Sequence, residues 1–231
     1  MIQVRGLTKT FGPKKVLRGI DLDVGEGEFL TLVGPNGAGK TTFLRILATL
    51  SRPTSGQATV GGVSIDQHPA QARRKIGLVS HRTLLYDDLT AVENLQFYGR
   101  MYDVTGLAAR IEDALRQVDL YFRRHDPVRT YSRGMQQRLS IARAILHDPQ
   151  VMLMDEPYTG LDQQATAMLR RVLGTLAASG RTVVMTTHDL ELGLEVADRV
   201  AILSGGKIGF QSPAKDLDVQ QFRRIYAEQA G

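Results

Sequence analysis

The sequence has 231 residues, 42% of them hydrophobic and 23% charged, with no cysteine. That balance suits a globular chain with a core of useful size and excludes disulfide scaffolds, thiolate metal sites and cysteine nucleophiles. Lys plus Arg number 29 against 24 Asp plus Glu, a diffuse net charge of +5 that permits anionic ligands without by itself indicating nucleic acid.

No apolar run approaches the roughly 20 residues needed to span a bilayer. The start of the chain lacks a basic stretch followed by an apolar one, so no signal peptide is expected. Short strands between Gly/Pro turns are predicted at 2–4, 19–24, 29–33 and 58–65. A helix is predicted from Lys40 to about Leu50, stopped by Pro53, and another strand at 76–79. From Thr90 to about Asp148 the pattern turns helical. Thr90-Ala-Val-Glu93 reads as a capping box, and Leu107, Ile111, Leu115 and Val118 recur at helical spacing. A basic, turn-prone stretch at 123–127 interrupts, and a further helix runs from about Arg133 to Leu146.

Strand and helix then alternate. Val151-Met-Leu-Met154 is a bare apolar run, expected of a strand buried on both faces. Asp162 is expected to cap a helix reaching Ser179, with Gly180 as its stop. Strands at 182–187 and 200–203 and helices at 191–197 and 219–228 complete the pattern. It predicts an α/β fold with a mainly parallel sheet and a helical insertion packed on it.

Gly34-Pro-Asn-Gly-Ala-Gly-Lys-Thr41 matches G-x-x-x-x-G-K-[ST] between a predicted strand and a predicted helix. Glycines let backbone N–H groups curl around an anion, and the helix N-terminus adds positive potential. Lys40 is placed to neutralise terminal phosphates and Thr41 to offer its hydroxyl oxygen to Mg²⁺. The loop predicts a nucleoside triphosphate, with Asn36, Gly37, Ala38, Gly39, Lys40, Thr41 and Thr42 as its cradle. The second acid site closes the strand at 151–154: Asp155 is expected to hold Mg²⁺ opposite Thr41, and Glu156 to polarise a water for in-line attack.

Three further features follow in a telling order: Tyr131-Ser-Arg-Gly-Met-Gln-Gln-Arg138 before the acid strand, Thr159-Gly-Leu-Asp162 after it, and His188 at the end of the 182–187 strand. Together with the phosphate loop and the two acids they resemble the ATP-binding-cassette (ABC) ATPases over essentially the whole chain. The resemblance implies a P-loop NTPase (RecA-like) core with an N-terminal antiparallel β subdomain and an inserted α-helical subdomain. It implies one domain over 1–231, with 1–85 and 150–231 as core and β subdomain and 86–149 as the helical signature subdomain. It also implies ATP hydrolysis in a head-to-tail homodimer. Ser132 and Gly134 then contact the γ-phosphate held by the second copy, His188 contacts that phosphate and positions the water, and Asp162 communicates across the dimer. Phe11 occupies the place of an adenine-stacking aromatic; a half-buried core aromatic is the rival reading.

Two positions depart from the family pattern. The signature reads Tyr131-Ser-Arg-Gly-Met135 instead of Leu-Ser-Gly-Gly-Gln. His81 stands where a glutamine normally touches Mg²⁺ and relays nucleotide state to the membrane subunit. A shorter imidazole, able both to donate and to accept hydrogen bonds, keeps the relay role and leaves the metal contact open. The signature is similar to that of ATPases partnering ABC-2-type exporters. Within that branch, Val79-Ser-His-Arg-Thr-Leu-Leu-Tyr-Asp-Asp-Leu-Thr90 resembles haem-exporter ATPases of cytochrome c biogenesis. That implies integral membrane permease subunits as partners and a peripheral place at the cytoplasmic face of the bacterial inner membrane. Drug, lipid or polysaccharide export is the alternative. A soluble ABC ATPase acting on nucleic acid is the reading from another class, and no nucleic acid is expected.

Overall fold

The computed structural model describes residues 1–230; Gly231, the last residue of the expected domain, lies outside the described residues. Two sheets carry the fold. The first is antiparallel, in the order β2-β1-β4-β5, from β1 (Ile2–Phe11), β2 (Lys14–Val24), β4 (Ser55–Val60) and β5 (Val63–Ser64). The second has six strands in the order β10-β9-β3-β8-β7-β6. Of these, β3 (Phe29–Val33), β6 (Ile76–Val79), β7 (Val151–Asp155), β8 (Thr182–Thr187) and β9 (Arg199–Ser204) run parallel, and β10 (Lys207–Pro213) is an antiparallel edge.

The first two strands are longer than their apolar residues predict. Pairing continues to Phe11 opposite Lys14 across a tight turn, so a hairpin tip extends past the apolar stretch. The strand expected at 58–65 is instead the hairpin of β4 and β5, broken at Gly61-Gly62. Two elements are absent from the sequence reading: the short helix α2 (Pro69–Arg74) and β10. Strand β10 alternates between exposed and half-buried residues, a weak signal at an edge.

Helix α1 (Lys40–Leu47) follows β3. Between β6 and β7 come α3 (Ala91–Met101), α4 (Leu107–Gln117) and α5 (Arg133–Ile145), with 3-10 turns at Tyr121–Arg123 and Val128–Thr130 at the two ends of the basic interruption. Thr90 and Glu93 make the reciprocal capping box at the start of α3. Beyond β7 lie α6 (Gln163–Ala178), α7 (Leu190–Val196) and α8 (Val219–Ala230).

Alternation along the buried strands divides the core. Val151, Leu153 and Val184 face one side with Phe43 and Leu47 of α1 and the inner face of the antiparallel sheet. Met152, Met154, Val183 and Met185 face the other side with Leu95, Leu115 and Leu139 of the inserted helices. The insertion therefore shares a continuous apolar core with the sheet. The carboxyl ends of β3, β7 and β8 are left to carry the site, where α/β sheets bind ligands.

Candidate functional site

The phosphate loop runs from the end of β3 into α1. Gly39 takes φ 109°, a left-handed conformation that favours glycine. A Cβ there would also lie 2.8 Å from a Leu17 methyl group. No side chain caps α1, so its first N–H groups remain available to an anion. Lys40 is only 7% exposed. Its Nζ donates to Gly34 O at 2.5 Å and Pro35 O at 3.3 Å, and lies 3.9 Å from Glu156 Oε1. Desolvation pushes its pKa below the ordinary lysine value, opposed by Glu156 and Asp155. A buried cation pointed into a loop of N–H groups fits a polyanion.

The acids come from the adjacent strand. Asp155 is 5% exposed and accepts the hydroxyl of Thr41 at 3.1 Å and that of Thr186 at 2.7 Å on one oxygen. This buried carboxylate beside a hydroxyl is the all-oxygen donor set that a hard cation such as Mg²⁺ takes. Glu156 turns out of the strand with φ 51°, unfavourable for a residue with a Cβ. Its N–H is tied to Thr186 at both the carbonyl (3.1 Å) and the hydroxyl (3.2 Å). The carboxylate is thereby directed between Lys40 and His188, whose Nδ1 donates to Glu156 Oε2 at 2.8 Å.

A cavity of about 470 Å³ surrounds the loop, lined by residues 35–42, Glu156, Phe11, Lys14 and Val16. Phe11 is 52% exposed at the hairpin tip and lines this cavity, which removes the core-aromatic reading. A second, larger cleft of about 720 Å³ meets the first at Glu156 and holds His81, Arg133, Gln136, Gln137 and Thr159. His81 thus shares a wall with Glu156, while Thr41 and Asp155 do not line its cleft. Ser132 and Gly134 line neither cavity; Ser132 caps α5, accepting Met135 N–H at 3.2 Å. Asp162 likewise caps α6 through Ala165 N–H at 2.7 Å.

Thr186 and Lys14 escaped the sequence reading. The signal for Thr186 was present: a hydroxyl at the end of an apolar β-branched strand needs a buried partner. Lys14 carried none, because its place depends on the hairpin.

The family profile described as "ABC transporter" matches residues 17–159. The linearmycin resistance ATP-binding protein LnrL of Bacillus subtilis (strain 168) is 38% identical over 210 residues, covering 90% of this chain and 68% of that protein. Nod factor export ATP-binding protein I of Cupriavidus pinatubonensis is 37% identical over 223 residues, covering 95% and 69% respectively. Among solved structures, the dimeric post-hydrolysis state of the ATP-binding cassette MJ0796 bound to ADP and Pi superposes with a TM-score of 0.85 at 28% identity. It covers 93% of this chain and 99% of that one. Of these, the two relatives from Bacillus and Cupriavidus are named for resistance and export, and neither name speaks of haem.

Proposed function

We propose that this chain, which belongs to the ABC transporter family as its ATP-hydrolysing, ATP-binding subunit, powers an ABC-2-type exporter of a drug, lipid or polysaccharide. The observation that carries the site assignment is the placement of Glu156 between Lys40 and His188, one residue beyond an Asp155 that receives Thr41. The phosphates of ATP lie along the loop N–H groups from Asn36 to Thr42, with Lys40 released from its two carbonyls onto them. Phe11 stacks on the base. Thr41 and Asp155 would hold Mg²⁺, which when bound neutralises phosphate charge. Glu156 takes the proton of the attacking water, and His188 holds that carboxylate in place and reaches the γ-phosphate.

Ser132 and Gly134 act on a second copy. Neither reaches the phosphate loop of its own chain, so a head-to-tail dimer completes the site, with Asp162 at the crossing. The helical part at 86–149 presents the signature to that copy, while 1–85 and 150–231 hold the nucleotide. His81 relays nucleotide state from the Glu156 cleft to a membrane permease partner at the cytoplasmic face of the bacterial inner membrane. Among the described residues no helix is long and apolar enough to cross a membrane. The likeness to a linearmycin resistance protein and a Nod factor export protein supports a drug or lipid cargo over haem, which rests on resemblance over 79–90, His81 included, and over Met154–Asp162.

Nucleic acid is not assigned as a partner. Of the basic run at 73–75, Arg74 pairs with Asp103 at 2.7 Å, Arg73 donates to Thr49 and Lys75 to Gly61 O, so the cations are engaged within the chain.

The test is copurification of the Glu156→Gln chain from native membranes in ATP, with mass-spectrometric identification. A lone exporter subunit is the expected result. Cytochrome c maturation proteins would restore the haem reading, and ribosomes or nucleic acid without a membrane protein would overturn the transporter assignment.

A further inference from the structure

Strand β6 forms one edge of the six-stranded sheet, paired in parallel with β7 from Ile76↔Val151 to Val79↔Met154. Its outward carbonyls, those of Ile76 and Leu78, have no strand beside them. Natural sheets blunt such an edge by covering it. Here the end of α5 does so. Arg143 Nη2 donates to Leu78 O at 2.7 Å, and His147 Nε2 lies 3.1 Å from Ile76 O. Gly77 between them permits the contact, since a Cβ there would lie 2.4 Å from Ala144 O.

Arg143 is only 8% exposed, and no acid pairs with it among the described residues. A buried cation without a carboxylate is costly and calls for a use. Its guanidinium lies 5.1 Å from the centre of the Tyr98 ring on α3. The Tyr98 hydroxyl in turn donates to Leu84 O. Leu78, Leu84, Tyr98 and Arg143 line one small cavity of about 150 Å³. Leu78 and Leu84 are the two feet of the loop that carries His81, and His81 is midway between them. One cation–π pair therefore holds both feet of that loop. It also joins α3 to α5, the helix whose other end is capped by Ser132.

We propose that Arg143 is a positioning residue for ATP hydrolysis: through Leu78 and Tyr98 it sets the loop presenting His81 to the Glu156 cleft, and through α5 it ties that loop to Ser132. This rests on the reading of His81 as the relay to the membrane subunit. Arg143 lines neither the phosphate-loop cavity nor the His81 cleft. Its effect belongs in kcat rather than in the KM for ATP.

The test has two arms. In the full chain, Tyr98→Phe removes one hydroxyl and keeps the ring, and Arg143→Lys keeps the charge but loses the planar fork. Amide hydrogen exchange at 79–85 is expected to rise about tenfold in each, the factor for one lost hydrogen bond, with the rest of the helical part unchanged. Unchanged exchange in that loop, or a uniform rise across 86–149, overturns the proposal.

The second arm measures kcat in the complex with the membrane subunit for His81→Ala, Tyr98→Phe and the double variant. Each single change is expected to lower kcat by about three- to tenfold at constant KM, and the double variant to fall no further than His81→Ala alone. Additive losses overturn the positioning role. Full kcat in His81→Ala overturns it from the other side, and loop exchange that still rises in Tyr98→Phe then shows that the His81 reading failed and not the clamp.

Discussion

The phosphate-loop cavity and the His81 cleft share Glu156 as a wall but are assembled differently. The first is built mostly from one short stretch, 35–42, whose backbone is suited to bind an anion and whose lysine is buried. The second draws side chains from the loop after β6, the start of α5 and the segment after β7. Backbone N–H groups and a helix terminus can be encoded in a handful of adjacent residues. A cleft walled by side chains from distant segments depends on how the inserted helices pack against the sheet. Substitutions in the first cavity should therefore strike nucleotide chemistry directly, and those around the second should leave nucleotide affinity alone.

The largest effect is expected where the two cavities meet. Glu156→Gln should lower ATP turnover by about 10² to 10⁴, the range for loss of a general base, while ATP affinity holds and a nucleotide-bound dimer accumulates on size-exclusion chromatography. Turnover at the wild-type rate would remove Glu156 from the chemistry. Next, Lys40→Ala should weaken ATP binding by about 100-fold, from two lost charge-assisted hydrogen bonds; unchanged affinity by calorimetry would refute the loop's role.

Ser132→Ala probes the cap of α5, the helix whose first turns wall the second region. It should leave ATP affinity of the single chain unchanged, abolish ATP-driven dimerisation in analytical ultracentrifugation, and cost about 1 kcal/mol of stability from the lost helix cap. A fall in single-chain affinity would mean that the signature acts in cis and would erase the distinction between the two regions.

The smallest effect concerns the wall behind the His81 cleft. Burial pushes the His147 pKa down from 6.5 to about 4, and its ring stacks on Tyr102 at 3.9 Å. Between those pH values the unfolded chain binds a proton that the folded chain refuses, so stability falls as pH drops through that window. His147→Gln should flatten that slope in urea unfolding at pH 5 and pH 7.5; an unaltered slope would place the acid sensitivity elsewhere.

Much of the site was legible in advance because its parts are local. Lys40, Thr41, Asp155 and Glu156 stand at fixed offsets from an apolar strand end, and strand geometry alone places them at the carboxyl edge. The hairpin tip was not legible, since the strands past Val4 and before Gly19 are polar or half-buried and held by cross-strand pairing. That is why Phe11 was readable only by resemblance and Lys14 not at all. The cargo proposed above was not legible, because in that reading it touches a membrane partner and not this chain.

By itself the sequence determined the phosphate loop, the acid pair, the capped helices and the alternation that builds the parallel sheet. Each of these depends on contacts or dihedral preferances within a few residues. The tertiary structure alone decided that Thr186 supports both acids, that Glu156 is turned between Lys40 and His188, and that Arg143 grips the loop of His81. Those contacts join residues far apart in the chain, and only the packing of helices on the sheet brings them within hydrogen-bond reach.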